Sequence, residues 1–148
     1  MLFTNLYSQR FLNPVFSAVN TIPNIVYCNA INVNSVSQNL LFDFYEPTGD
    51  TLLKRPLIIY LHSGWFSDTS QTRQLTHIVA FCDCFALRGY AVASVGYRLD
   101  SASTGINNRA IINAMDHAKA SIRYFKANAF LYKIDTSKIF IGGNRLVL

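Results

Sequence analysis

The chain has 148 residues, which suits one domain with a sizeable core. Hydrophobic residues make up 51% of it and charged residues 14%, which excludes a disordered or solvating chain. The formal net charge is +5, but the thirteen Lys and Arg are scattered without a run, so no nucleic-acid partner is expected.

Residues 1–23 are mixed, with Pro14 and Pro23 as breakers. They read as an irregular arm that packs Phe11, Leu12, Val15 and Phe16 on the domain. Asn24–Cys28 reads as a short first strand, and Asn29–Gln38, rich in Asn and Ser, as a turn. Asn39–Tyr45 is a second strand, because strict alternation puts Leu40, Phe42 and Phe44 on one face. Pro47-Thr48-Gly49-Asp50 closes it with turn chemistry.

The run Leu57-Ile58-Ile59-Tyr60-Leu61 follows Pro56 and is apolar throughout. Such a run is a strand buried on both faces, as inside a parallel sheet. It breaks at once into His62-Ser63-Gly64-Trp65-Phe66. A small-residue turn there brings backbone N–H groups to the carboxyl edge of the sheet, where open α/β sheets bind ligands.

A helix is predicted over Gln74–Leu87, with Leu75, Val79, Cys82, Phe85 and Ala86 on one stripe. Arg88 and Gly89 suit its C-terminal end. Tyr90–Gly96 is the next buried strand and runs into Tyr97-Arg98-Leu99. After a Ser/Gly loop, Asn108–Tyr132 reads as the longest helix. Its predicted core stripe is Ile111, Met115, Ala118, Ile122, Phe125, Ala129 and Tyr132. Lys138–Ile141 is a last short strand, followed by Gly142-Gly143. The alternation of strands and helices predicts an α/β fold.

The odd count of Cys28, Cys82 and Cys84 gives no disulfide framework. Cys82 and Cys84 lie two apart on a helix and face different ways, so no metal site is expected on them; no cofactor is implied. No stretch reaches the length of a membrane span. Thr4, Asn5, Ser8, Gln9 and Arg10 interrupt the start, so no signal peptide is read in this chain and the compartment stays open.

Four landmarks and one run before them, in order, resemble the α/β-hydrolase serine carboxylesterases and lipases. Asp43-Phe44-Tyr45-Glu46-Pro47 resembles the "D-x-Y-x-P" before their oxyanion strand, and Leu57–Phe66 that strand with its His-Gly-Gly-Gly type loop. Arg88-Gly89-Tyr90 through Tyr97-Arg98-Leu99 resembles "RGY-VVAS-x-YRL", and Asp116 with Ile122-Arg123-Tyr124-Phe125 their next helix. Lys138–Gly143 looks like the strand entering the nucleophile elbow. The likeness implies the N-terminal half of a mostly parallel, five-strand hydrolase sheet flanked by helices and truncated at the nucleophile strand.

It further implies a small-molecule ester as substrate of the intact parent, and export of some relatives. Gly64 and Trp65, with Ser63, would supply the backbone oxyanion donors. His62 would brace that loop, since the base of such enzymes comes late in the chain. Arg98 and Asp116 would form an ion pair, with a solvated helix face as the open alternative.

The expected Gly-x-Ser-x-Gly is broken. Arg145 stands at the serine position and Val147 at the second glycine. Arginine has no nucleophilic oxygen, and no acid or histidine follows. Two readings stay open: an inactive fragment of an esterase, through truncation or a frameshift, and a hydrolase-like binding module without catalysis. Under the first, Lys138–Ile141 is a raw sheet edge and self-association is expected.

Overall fold

The computed structural model describes residues 9–32, 34–63, 72–99 and 108–143. Among the described residues five strands and two long helices follow in chain order: β1 (Val19–Ile31), β2 (Ser37–Pro47), β3 (Arg55–Leu61), α1 (Thr76–Ala86), β4 (Ala91–Val95), α2 (Asn108–Ala127) and β5 (Ile134–Gly143). The strands form one sheet in the order β1-β2-β4-β3-β5.

The sheet is mixed rather than mostly parallel. β1 pairs β2 antiparallel and β2 pairs β4 antiparallel, while β3 runs parallel to both β4 and β5. The reason is connection length. The short turn around Asn32–Val36 can only reverse the chain, whereas α1 and α2 supply the crossovers that parallel neighbours need. β1 is also far longer than Asn24–Cys28, so strand pairing begins inside the expected arm.

Pro23 is tolerated in β1 because it lies on an edge strand at a break in the ladder, between the pairs Ile22–Phe44 and Ile25–Phe42. Asn24 takes a φ of 61° there. Its freed N–H donates to Asp43 Oδ1 at 2.8 Å. The remaining arm is tied to the turn after α1. Phe11 N–H donates to Arg88 O, and Val15 and Phe16 N–H to Leu87 O. Leu12, expected to pack, is 74% exposed.

The pleat sends alternate side chains to two cores. Phe42, Phe44, Leu57, Ile59, Ala93 and Val95 pack with Phe125 and Tyr132 of the α2 layer. Tyr45, Tyr60 and Val92 pack with Ile78, Cys82 and Ala86 of α1 on the other side. Burial raises the Cys82 thiol pKa to about 12, so it stays protonated, whereas Cys84 is exposed.

The end of α1 has a Schellman pattern: Tyr90 N–H donates to Phe85 O and Gly89 N–H to Ala86 O. Gly89 has a φ of 97°, and a Cβ there would meet Arg10 Nε at 2.7 Å. Arg10 lies close because it makes two hydrogen bonds to Asp50, at 2.9 and 2.5 Å, and clamps the arm. Among the described residues no helix is long and apolar enough to cross a membrane.

The buried face of α2 departs from the predicted stripe. Ala110, Asn113, Ala114, His117, Ser121 and Phe125 face inward, while Ile111 and Met115 are exposed. The expected stripe is right only in its second half. In the first half, the end of β4 offers hydrogen-bond donors, so the helix turns acceptors inward. A buried polar group with a partner is stable, and exposed apolar side chains are ordinary.

Candidate active site

The three parallel strands end level with one another. Leu61 pairs with Val95 on one side and with Gly143 on the other. His62 and Gly96 therefore leave the sheet at the same carboxyl edge as Gly143. A Cβ on Gly143 would lie 2.6 Å from Leu61 O, so only glycine permits this close approach.

Of the expected oxyanion residues, Ser63 is described and is 5% exposed. Gly64, Trp65 and Arg145 lie outside the described residues. His62 is 6% exposed, and its ring stacks on Tyr97 with centroids 4.5 Å apart. Tyr97 Oη donates to His62 O at 2.8 Å. His62 Nδ1 is 2.6 Å from Ser63 O; a carbonyl only accepts, so Nδ1 carries the proton. Burial lowers the His62 pKa first, the Ser63 bond opposes this, and the Arg73 charge lowers it further. The neutral ring thus packs and points back along its own turn.

Arg98 and Asp116 do not meet. The Arg98 guanidinium donates to Asn113 Oδ1 and to Ile31 O. Asp116 sits beside Lys119 at 3.8 Å, both well exposed. Asp116 lies on the outer side of α2, and Asn113, one turn earlier, is the residue aimed at β4. Sequence reasoning had assigned no role to Asn113. A neutral amide avoids the cost of a buried carboxylate while still accepting from Arg98.

His117 is 7% exposed. Its Nδ1 accepts the Arg98 N–H at 3.3 Å, so its proton is on Nε2. Burial lowers its pKa, helped by Arg98 and opposed by Asp116. Both buried histidines are thus depressed below the ordinary histidine value of 6.5. Between the folded and unfolded pKa values the unfolded chain binds more protons. Stability is therefore full above 6.5 and falls as pH drops through the depressed values. Urea midpoints measured from pH 7.5 downward should fall, and His117→Gln should make the fall shallower. An identical slope in that variant contradicts the assignment.

Arg73 and Asp43 also lacked an assigned role. Arg73 Nε lies 3.2 Å from Asp43 Oδ1, an ion pair rather than an aligned hydrogen bond, since Nε has no acceptor in line. Its guanidinium also donates to Asn24 Oδ1. Ser94 Oγ donates to Arg73 O at 2.8 Å. Asp43 was legible as part of a motif, but nothing in the sequence links it to a residue thirty positions on. Among the described residues no group of three or more His, Cys, Asp or Glu could hold a metal ion.

The layout of β2 to β5, with the glycine-dependent junction at their edge, is that of an α/β-hydrolase. The BD-FAE family model matches residues 42–145. The chain belongs to that family, an α/β-hydrolase-like one. No curated protein matches it. Thermogutta terrifontis esterase 2, in a structure phosphorylated by paraoxon, is similar in fold, with a TM-score of 0.64 at 23% identity. That match covers 83% of this chain and 42% of the esterase. Brefeldin A esterase, a bacterial homologue of human hormone sensitive lipase, gives 0.61 at 14% identity, over 93% of this chain and 37% of its own. A bifunctional GH43-CE protein of Bacteroides eggerthii gives 0.56 at 26% identity, over 83% and 14%. The chain thus spans less than half the length of each.

Proposed function

We propose that this chain is the oxyanion half of a carboxylic-ester hydrolase with an acyl-serine mechanism. The register Leu61–Gly143 carries this reading. It pairs Leu61, the residue before His62, with Gly143, and so supports a reading in which the two segments that follow act together. An acyl-transfer site needs that adjacency, because the donors for the oxyanion must lie within about 3 Å of the oxygen formed by nucleophilic attack. Backbone N–H groups of Gly64 and Trp65 are the donors, with Ser63 the third candidate. The nucleophile belongs at position 145, where arginine stands.

The five residues 144–148 support a one-base deletion as the origin of that arginine. Codons AAT TCG GCT GGT GCT encode Asn-Ser-Ala-Gly-Ala, the family-like continuation. Loss of one T gives AAT CGG CTG GTG CT, read as Asn-Arg-Leu-Val-Leu, the residues found here. Resequencing the locus and expressing the restored frame tests the proposal. The restored protein should hydrolyse short p-nitrophenyl esters and take a fluorophosphonate label at the new serine. The proposal fails if no single inserted base restores Asn-Ser-Ala-Gly, or if no acid and histidine follow in that frame. In that case the reading as a non-catalytic binding module takes its place.

Self-association belongs to the same proposal. β5 is an edge strand, with Phe140 and Ile141 55% and 46% exposed on its two sides. Beside it lies an apolar groove of about 450 Å³ lined by Ile58, Tyr60, Phe81, Phe85 and Phe140. An unpaired apolar edge templates pairing with another chain. Sedimentation should show oligomers that grow with concentration, and Phe140→Lys should shift them toward monomer. A chain that stays monomeric at high concentration contradicts the expectation.

A further inference from the structure

Among the described residues β5 has a strand neighbour on one side only, β3, and its other edge is open. The opposite edge of the sheet, β1, is blunted. It carries Pro23 and two register shifts against β2, which discourage pairing with another chain. β5 has such protection only at its start. Its ladder with β3 breaks between Ile134 and Ile139. There the Asp135 carboxylate accepts from Ser137 N–H at 3.0 Å and lies 3.3 Å from Lys138 Nζ. Beyond that turn, Ile139-Phe140-Ile141-Gly142-Gly143 holds neither a charge nor a proline. These residues alternate between the two faces of the sheet. Ile139 packs with the α2 core, and Ile141 shares its face. Phe140 lines the groove on the α1 side and is 55% exposed, and Gly142 shares that face. A Cβ on Gly142 would meet nothing within 4 Å, and its φ is not positive. Neither a neighbour within the chain nor the backbone conformation therefore calls for glycine there.

We propose that this edge pairs with a second copy of itself, in a closed two-fold dimer where the Phe140 ring of each copy covers Gly142 of the other. Identical edges related by a two-fold axis run antiparallel, and the contact is complete once made. With Ile141 on the axis, Phe140 falls directly opposite Gly142, and Ile139 opposite Gly143. Opposed residues share a face, so each large side chain lies over bare glycine backbone, the pairing by which an aromatic ring rescues a glycine at a sheet edge. Gly142 also lines the groove, so the second copy's ring borders the apolar wall of Tyr60, Phe81 and Phe85. An axis on Phe140 instead would set Lys138 opposite Gly142 and draw the Asp135 turn into the ladder. Covering the exposed half of two rings removes roughly 150–250 Å², against about 1,200 Å² in a stable complex. The dimer therefore dissociates on dilution. It rests on the self-association read from the open β5 edge, and is its first step, formed below the concentrations at which larger oligomers grow.

Cysteine crosslinking tests the register. In a Cys28→Ser/Cys84→Ser background only Cys82 remains, and it is buried. Ile141→Cys then sets a thiol on the axis beside its own copy, whereas Ile139→Cys and Phe140→Cys each set one opposite a glycine. Mild oxidation should turn Ile141→Cys into a disulfide dimer at least about tenfold faster than either of the others. Ile139 packs on the α2 core, so if Ile139→Cys loses the fold the comparison rests on Phe140→Cys. Sedimentation of the unaltered chain should show a monomer–dimer equilibrium at low concentration. Phe140→Ala, with far-UV circular dichroism unchanged, should raise its dissociation constant about tenfold. Equal crosslinking of Ile141→Cys and Phe140→Cys overturns the proposal, as does faster crosslinking of Phe140→Cys. An unaltered chain that stays monomeric also overturns it, and so does a dissociation constant that Phe140→Ala leaves unchanged. None of these readouts uses hydrolysis. Failure of the ester-hydrolase reading leaves the crosslinking result standing, and a monomeric chain leaves the assay of the restored frame untouched.

Discussion

Purified as the 148-residue chain, the protein should show no serine-dependent hydrolysis of short p-nitrophenyl esters and take up no fluorophosphonate label. The missing group is specific. Position 145 offers a guanidinium, which stays charged and has no oxygen to acylate. Each of the two buried histidines has its Nδ1 engaged within the fold. His62 spends its Nδ1 proton on Ser63 O, and His117 accepts the Arg98 N–H. Without an enzyme nucleophile no acyl-serine forms, and only slow direct attack by water remains. Loss of a triad serine or histidine costs on the order of a millionfold in kcat, so turnover should fall to the blank rate. Arg145→Ser alone should not restore labelling, since a serine hydroxyl needs an adjacent base to become nucleophilic. Stoichiometric labelling of any serine in the unaltered chain would show that another residue acts as nucleophile, and would remove the basis for the inactive-fragment reading.

The parts legible in the sequence are those set by local pattern. The run 57–61 is apolar without alternation, and β3 lies in the sheet interior between β4 and β5. Leu40, Phe42 and Phe44 alternate in sequence and are buried together. The β4 strand and both helix positions follow from periodicity and from Gly89. What was not legible depends on pairing between distant segments. The full extent of β1 is set by β2, since its residues are largely exposed and carry little apolar signal of their own. The inner face of α2 is set by Arg98, whose side chain and N–H need acceptors at positions 113 and 117. The apolar stripe that included Ile111 and Met115 missed this, because hydrophobic periodicity carries no information about a donor arriving from another strand. The same limit hid Asn113 in favour of Asp116, and left Asp43 and Arg73 unconnected.

Phe42→Ala should be the most damaging single core substitution, lowering stability by about 3–5 kcal/mol. Phe42 is 0% exposed and sits where three elements meet. It pairs across the sheet with Ile25 of β1 and Val95 of β4. Its ring lies 4.8 Å from that of Phe125, 5.4 Å from Tyr124 and 6.0 Å from Tyr132. Truncation removes the transfer energy of a whole ring and leaves a cavity bounded by other large rings. Those rings cannot collapse inward without moving α2 off the sheet, so relaxation recovers little. The expected loss is large against the 5–15 kcal/mol, roughly, that holds a domain together. Phe42→Leu keeps most of the volume and should cost less than half as much, about 1–2 kcal/mol. Asp116→Ala is the control: its exposed contact with Lys119 at 3.8 Å should change stability by about 0.5 kcal/mol or less. Denaturant midpoints of the three variants rank the contributions. If Phe42→Ala and Asp116→Ala fall within error of each other, the aromatic cluster does not hold α2 to the sheet, and β1, β2 and α2 do not share one cooperative core.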